Sequence, residues 1–200
     1  MIFGLKQIPF RMTTLLNDDV QTPTQLSGRK IIPILELPTG EIVTESLDIV
    51  RLIDQQDGAP VLGGPQNPAI SGWIAQASST IFKLAIPRWA EAPLGEFRTP
   101  AARGYFVENK SRQMGSFTQH LANSPALIRE AEADLLCLEP LLVENGDGCN
   151  GPLSLDDILL FPILRALSIV IAMDYPPKVE AYRQQMAAQA HVVLHDGISC

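Results

Sequence analysis

The chain has few of the features that mark redox, metal-binding, nucleic-acid-binding or membrane proteins. Its 200 residues contain three cysteines, which are widely spaced and form no Cys-x-x-Cys pair or metal-binding pattern. Basic residues are in deficit, with 15 Lys and Arg against 22 Asp and Glu, and the net charge is −7. This balance argues against nucleic acid or an anionic membrane surface as the main partner.

Long apolar runs are also absent. The most apolar stretch, Ile158–Met173, contains Pro162 and Arg165 and is too short to span a bilayer, so we expect a buried core helix. The first ten residues, MIFGLKQIPF, lack the apolar run and small-residue cleavage site of a secretory signal. With an odd number of unpaired cysteines, these features predict a cytoplasmic protein with no membrane partner.

One segment divides the chain. Residues 59–68, APVLGGPQNP, hold three prolines and two glycines, a composition typical of a linker. Hydrophobic residues make up 46% of the chain, enough for a buried core on each side of it. We therefore expect an α/β domain over residues 1–58 and an all-α domain over residues 69–200.

The first domain reads as a small α/β unit. The patterns predict a helix end at Met1–Lys6, a strand at Phe10–Leu16, a short helix ending at Gly28, two strands at Ile31–Leu37 and Glu41–Thr44, and a helix over residues 46–56. Ser46 is predicted to cap that last helix, whose apolar face is Leu47, Ile49, Val50 and Ile53.

The second domain shows helical periodicity throughout. We predict helices over residues 69–90, 100–123, 126–144, 155–173 and 178–191, ended or kinked locally by Pro87, Pro140 and Pro162. Ser154 and Asp157 form a near-capping box before the most apolar helix. We assign this pair a structural role.

Two features of the Ile31–Asp48 stretch suggest a binding edge. Pro33 lies inside a strand, where it cannot donate to the ladder; a cis bond after Ile32 would expose the backbone of Ile32 to an added extended peptide, whereas a plain edge-strand proline is the simpler alternative. Glu45 and Ser46 stand where a helix begins, so that Ser46 could hold the carboxylate and Glu45 the ammonium of an α-amino-acid end. The alternative is an ordinary helix cap with an exposed acid.

The remaining candidates favour structural roles. His120, His191 and His195 have no partner at a catalytic or metal-ligand spacing and are predicted to lie on the surface. Cys137 is predicted to be a buried, inert thiol. The aromatic residues are assigned to the core or the domain interface: Trp73, Trp89, Phe82 and Tyr105. The basic residues are assigned to a solvated helix face in preference to an anion-binding cleft: Arg88, Arg98, Arg103 and Lys110.

Six segments carry a family likeness: MIFGLKQIPF, LLNDDVQTPTQLSG, IIPIL, TESLDIV, RTPAARGYFVENK and LSLDDILLFPILR. In this order they resemble the bacterial glutaredoxin 2 family, glutaredoxins built on a glutathione-transferase-like plan. The resemblance implies a thioredoxin-like domain followed by a helical domain. It also implies a monomeric enzyme that uses glutathione as co-substrate, needs no metal, and reduces protein disulfides and glutathionylated proteins.

Carried over residue by residue, the resemblance implies a glutathione site in the first domain. Ile32-Pro33 matches the family's cis-proline strand, which pairs with the cysteinyl backbone of glutathione, and Glu45-Ser46 matches the acid–serine pair that holds the γ-glutamyl end. Met1–Lys6 matches the helix that follows the family's Cys-Pro-Tyr-Cys motif. We therefore expect an incomplete thioredoxin-like domain without its first strand, no catalytic cysteine among the 200 residues, and no activity of the chain as it stands.

Two other functions stay open. A glutathione-transferase-like enzyme would attach glutathione to an electrophile, and a non-catalytic module would bind glutathione without turnover. Loss of the first strand would leave a neighbouring strand edge unpaired, so we also expect the first domain to be loosely held.

Overall fold

The computed structural model describes all of residues 1–200 and is mainly helical. Its helices are α1 (Ile2–Leu5), α2 (Gln21–Ser27), α3 (Ser46–Asp54), α4 (Pro68–Glu91), α5 (Pro100–Met114), α6 (Phe117–Ala122), α7 (Ser124–Leu138), α8 (Leu155–Leu167) and α9 (Pro177–Gln189). Two strands, β1 (Ile34–Glu36) and β2 (Ile42–Thr44), form one antiparallel sheet. Single 3-10 turns lie at Gly95–Phe97, Glu139–Leu141 and Asp196–Ile198.

The first part of the chain packs its helices α1 and α3 around a small apolar cluster. Its buried members from this part are Ile2 of α1 and Ile49, Val50 and Ile53 of α3, and the last three belong to the predicted apolar face of α3. The fifth buried member is Ile158, which α8 contributes from the helical part. The small cluster is thus completed by the helix that also runs through the main core.

The predicted strand over Phe10–Leu16 is wrong. This segment has no regular structure, and the backbone of residues 10–15 makes no backbone–backbone hydrogen bond. β1 and β2 pair only with each other, so no neighbouring strand is present to receive it. A β-rich sequence forms a strand only where a second backbone supplies the ladder.

The main core lies between α4, α7, α8 and α9. It has 24 buried residues, and its largest fully buried side chains include Leu84, Leu135, Phe161 and Met186. Burial of each such side chain contributes roughly 1.5–3 kcal/mol. This core, which joins helices distant in sequence, holds the helical part together.

One glycine and three prolines lie within or next to the predicted helices of the second domain, and they have different effects. The predicted helix over 100–123 is split at Gly115, whose φ of 91° ends α5. Pro140 lies in the 3-10 turn after α7. Pro87 and Pro162 end no helix, because α4 and α8 continue through them. Pro87 is buried, whereas Pro162 lies on the exposed side of α8.

The start of α8 is fixed by a buried carboxylate. Asp157 is fully buried, and it accepts hydrogen bonds from the backbone N–H of Ser154 at 2.8 Å, the backbone N–H of Cys149 at 2.7 Å and the hydroxyl of Tyr182 at 2.9 Å. With Ser154 it forms the predicted capping box. Four pieces of chain, the loop at Cys149, the cap, α8 and α9, are joined at this one side chain.

The segment between Asp54 and α4 contains no helix or strand and is tied to the start of α8. The N–H of Asn67 donates to Oδ2 of Asp156 at 2.7 Å, and the N–H of Gly64 donates to the carbonyl of Leu153 at 2.8 Å. A Cβ on Gly64 would meet the carbonyl oxygen of Pro152 at 2.6 Å, so glycine is required for this approach. No helix is long and apolar enough to cross a membrane.

The predicted locations of Cys137 and His195 are wrong. Cys137 is exposed, because its side chain lies on the outer face of α7, while Leu135 and Leu138 point inward. His195 is buried rather than on the surface, with its ring 6.3 Å from that of Trp89. Burial, with Arg165 adding to the effect, lowers the pKa of His195 from 6.5 to about 4.

The basic and aromatic candidates mostly serve packing. Arg88 is buried and donates to the carbonyl of Leu84 and the hydroxyl of Ser124. Arg103 donates to the carbonyls of Ala92 and Phe97, so neither arginine lies on the solvated face that we predicted. Trp73 is a core residue, as expected, and donates its indole N–H to the carbonyl of Asp134.

Replacement of the buried carboxylate tests its role in stability. Asp157→Ala leaves buried donors unpaired and should lower the free energy of unfolding by roughly 3–5 kcal/mol, and Ser154→Ala by about 1 kcal/mol. Asp48→Ala, which removes an exposed ion pair with Arg51, should cost less than about 0.5 kcal/mol. Urea denaturation measures all three; an Asp157→Ala loss no larger than that of Asp48→Ala would contradict the assignment.

The buried histidine predicts a pH dependence of stability. Because the pKa of His195 is about 4 in the folded state against 6.5 ordinarily, the unfolded state takes up a proton first as the pH falls. The stabilisation is complete above about pH 6.5 and is lost towards pH 4, by up to about 3 kcal/mol. His195→Gln should flatten this slope in urea denaturation, and the exposed His191→Gln should not. Equal slopes in all three proteins would rule the effect out.

Candidate functional site

The register of the sheet brings the two halves of the predicted site together. Ile34 pairs with Thr44, and Leu35 pairs with Val43. The pairing ends there, so Ile32-Pro33 directly precedes the paired residues of β1 and Glu45-Ser46 directly follows those of β2. Residues that are twelve or more positions apart in sequence therefore meet at one end of the strand pair, at the start of α3.

The Ile32 side of this end presents free backbone. The Ile32–Pro33 bond is cis, and the Ile32 residue is 69% exposed. Neither its N–H nor its carbonyl makes a hydrogen bond within the chain. An extended peptide segment lying alongside has one donor and one acceptor available there.

The Glu45 side differs from the predicted cap. Glu45, not Ser46, is the N-cap of α3: its φ is 68°, and its carbonyl accepts from the N–H groups of Asp48 and Ile49. Ser46 is the first helical residue, and its side chain makes no capping hydrogen bond. Because Glu45 already provides the turn into the helix, the hydroxyl of Ser46 is left without an internal partner and is exposed.

Two basic residues border the site, and sequence reasoning missed both. Nη2 of Arg29 lies 3.2 Å from Oε1 of Glu45. Nζ of the next residue, Lys30, lies 4.0 Å from the centroid of the Tyr105 ring and donates to the carbonyl of Asn17 at 2.6 Å. Adjacent basic residues after a helix-ending glycine are the only sequence signal for them, since their partners Glu45 and Tyr105 come from the N-cap of α3 and from α5.

The α2–β1 loop and the segment before α2 contact the helical part of the chain. The N–H of Asn17 donates to the carbonyl of Glu96 at 3.0 Å, and the Tyr105 ring under Lys30 belongs to α5. Tyr105 is therefore an interface aromatic, as predicted. The α2–β1 loop is held between the strand end and the helical part.

None of the three thiols belongs to this site. Cys149 is fully buried beside Asp157, and burial raises the pKa of its thiol well above the ordinary value, so that it stays protonated. Cys137 lies on α7 and Cys200 is the last residue, both exposed. No group of three or more His, Cys, Asp and Glu side chains is arranged to hold a metal ion.

Comparison with known proteins first defines a class. A family model described as "Glutathione S-transferase, N-terminal domain" matches residues 1–56. The glutathione transferase GSTFuA2 of Phanerochaete chrysosporium superimposes with a TM-score of 0.67 over 94% of this chain and 87% of that chain, at 14% identity. At this identity the match concerns the fold alone: a thioredoxin-like first domain and a helical second domain, the glutathione-transferase fold.

Closer relatives define the family. A family model described as "Glutaredoxin 2, C terminal domain" matches residues 69–199. Glutaredoxin 2 of Escherichia coli (strain K12) is 44% identical over 97% of this chain and 90% of that protein. The crystal structure of glutaredoxin 2 from Salmonella typhimurium in complex with glutathione superimposes with a TM-score of 0.97, at 43% identity, over 100% of this chain and 91% of that chain. The chain belongs to the glutaredoxin 2 family.

Proposed function

We propose that the chain binds glutathione at the strand end formed by Ile32, Pro33, Glu45 and Ser46, and that it serves glutathione-dependent reduction of disulfides. The observation that supports this most is the near-complete structural match to a glutaredoxin 2 whose crystal structure contains glutathione. The strand pairing, which puts the cis-proline dipeptide and the acid–serine pair at the same end of the sheet, supports it independently.

The chemistry of each group fits a part of the tripeptide. The free N–H and carbonyl of Ile32 match the two backbone groups of a cysteinyl residue, as in an added strand. The hydroxyl of Ser46 and the amide groups at the start of α3 suit a carboxylate, and Glu45 suits the neighbouring ammonium. Bound this way, glutathione presents its thiol beside Pro33.

Glutaredoxin chemistry needs an activated thiolate next to that thiol. A thiolate attacks a disulfide and forms a mixed disulfide, which the thiolate of glutathione then resolves, so that each step breaks one S–S bond and forms another. Cys149 is protonated and buried, and Cys137 and Cys200 lie on α7 and at the last residue, outside the strand end. These 200 residues therefore supply the groups that bind glutathione but not the attacking thiolate. The proposed substrates are proteins that carry disulfides or glutathione adducts, and the proposed compartment is the cytoplasm.

The two alternative functions, a transferase and a non-catalytic binding module, predict different assay results. A transferase would consume glutathione with an electrophile, but the transferase structure that superimposes on this chain is similar to it in fold alone. A binding module would hold glutathione without any turnover. We propose the glutaredoxin function over the first because family membership points to it.

Binding and turnover of the 200-residue chain test the proposal. We expect weak binding of glutathione, with Kd on the order of millimolar. Glu45→Gln and Ser46→Ala should each weaken it by roughly three- to tenfold, because each removes one charge-assisted hydrogen bond at an exposed site. Titration calorimetry or NMR measures the Kd, and Asp48→Asn, two residues further along the same helix, is the matched control.

Turnover is measured with a glutathionylated peptide in an assay coupled to glutathione reductase. We expect no NADPH oxidation above the rate without protein, because no thiol of the chain lies in the site. Absence of glutathione binding would contradict the proposed site. Robust disulfide reduction by these residues would contradict the assignment of the thiols.

A further inference from the structure

Arg29 stands beside the group proposed to hold the ammonium of glutathione, although neither the motifs nor the proposed site includes it. Its guanidinium contacts the Glu45 carboxylate, Nη2 to Oε1 at 3.2 Å. Both side chains are more than half exposed, at 66% and 58%. An exposed ion pair of this kind contributes less than about 1 kcal/mol to stability, so a structural role accounts poorly for it.

The loop carrying Arg29 is held in place by its own backbone and by its neighbour. Gly28 ends α2 in the left-handed conformation with a φ of 79°. The carbonyl of Arg29 accepts from the hydroxyl of Ser27 and the N–H of Ile31, both at 3.0 Å. Lys30 is anchored on the opposite side by the Tyr105 ring. The guanidinium therefore emerges from a fixed backbone towards the end of β2.

The charges at this corner complement a zwitterion. The γ-glutamyl end of glutathione carries an ammonium and a carboxylate on one carbon atom, so its two charges lie a few ångströms apart. Glu45 and Arg29 offer one negative and one positive group that already touch. An α-amino acid end placed between them would exchange the Arg29–Glu45 contact for two contacts, ammonium to Glu45 and carboxylate to Arg29.

We propose that Arg29 is a binding residue for the α-carboxylate of the γ-glutamyl end, sharing it with Ser46, and that the Arg29–Glu45 pair selects ligands with a free α-amino-acid terminus. This proposal rests on the proposed function. A planar guanidinium is suited to this task because its parallel N–H groups match the two oxygens of a carboxylate. Lysine at the same position would supply the positive charge but not the two parallel N–H donors.

The test pairs variants with glutathione analogues, using the complete 200-residue chain and NMR titration. Arg29→Gln should raise the Kd for glutathione roughly two- to fivefold, since it removes a charge-assisted contact at an exposed site. Arg29→Lys should give a smaller loss. For the decarboxylated analogue, 4-aminobutyryl-Cys-Gly, Arg29→Gln should no longer weaken binding relative to wild type, because the carboxylate that Arg29 holds is missing.

Controls separate this proposal from the proposed function. Arg112→Gln removes an exposed arginine that is likewise paired with a glutamate, Glu108, on α5, and should leave the Kd unchanged. Glutathione binding by wild type with an unchanged Kd in Arg29→Gln would overturn the role of Arg29 alone. Tighter binding by Arg29→Gln would identify Arg29 as a competitor of the ammonium and would also overturn it. Failure of the wild-type chain to bind glutathione would overturn both proposals.

Discussion

The carboxylate of Asp157, buried at the first turn of α8, is the constraint on which the rest of the structure depends. A charge removed from water in this way is tolerated only with several strong donors, and here the N–H groups of Cys149 and Ser154 and the hydroxyl of Tyr182 supply them. These donors come from the loop before α8, from its cap and from α9. Their convergence fixes where α8 begins.

The position of α8 then determines how the first part of the chain is held. Ile158, one residue after the carboxylate, completes the cluster formed by α1 and α3, and Asp156, one residue before it, accepts from the N–H of Asn67 just ahead of α4. The α1–α3 cluster has five buried residues against 24 in the main core. The site at the start of α3 therefore depends on a helix of the other domain for its support.

Local patterns predicted many of the helices and caps, and most of the failures share one cause. The helix end at Gly28, the apolar face of α3 and the capping box at Ser154 follow from neighbours in sequence, and the structure has them. The strand at residues 10–16, the exposure of Cys137 and the burial of His195 depend on which distant surface lies alongside, and a single sequence does not contain that information. The same holds for the candidate site. Ile32, Pro33, Glu45 and Ser46 belong to motifs that can be recognised in the sequence. Arg29 and Lys30 can be assigned to the site only from their contacts with Glu45 and Tyr105, which are distant in sequence.

The central claim is that glutathione lies across the end of the β1–β2 pair, and an amide correlation spectrum of the ¹⁵N-labelled chain titrated with glutathione tests it most directly. The account predicts that the largest shifts occur at the amides of Ile32 and Ser46, while those of α4 and α7 stay unmoved. Largest shifts within the helical part, with Ile32 and Ser46 unaffected, would contradict it.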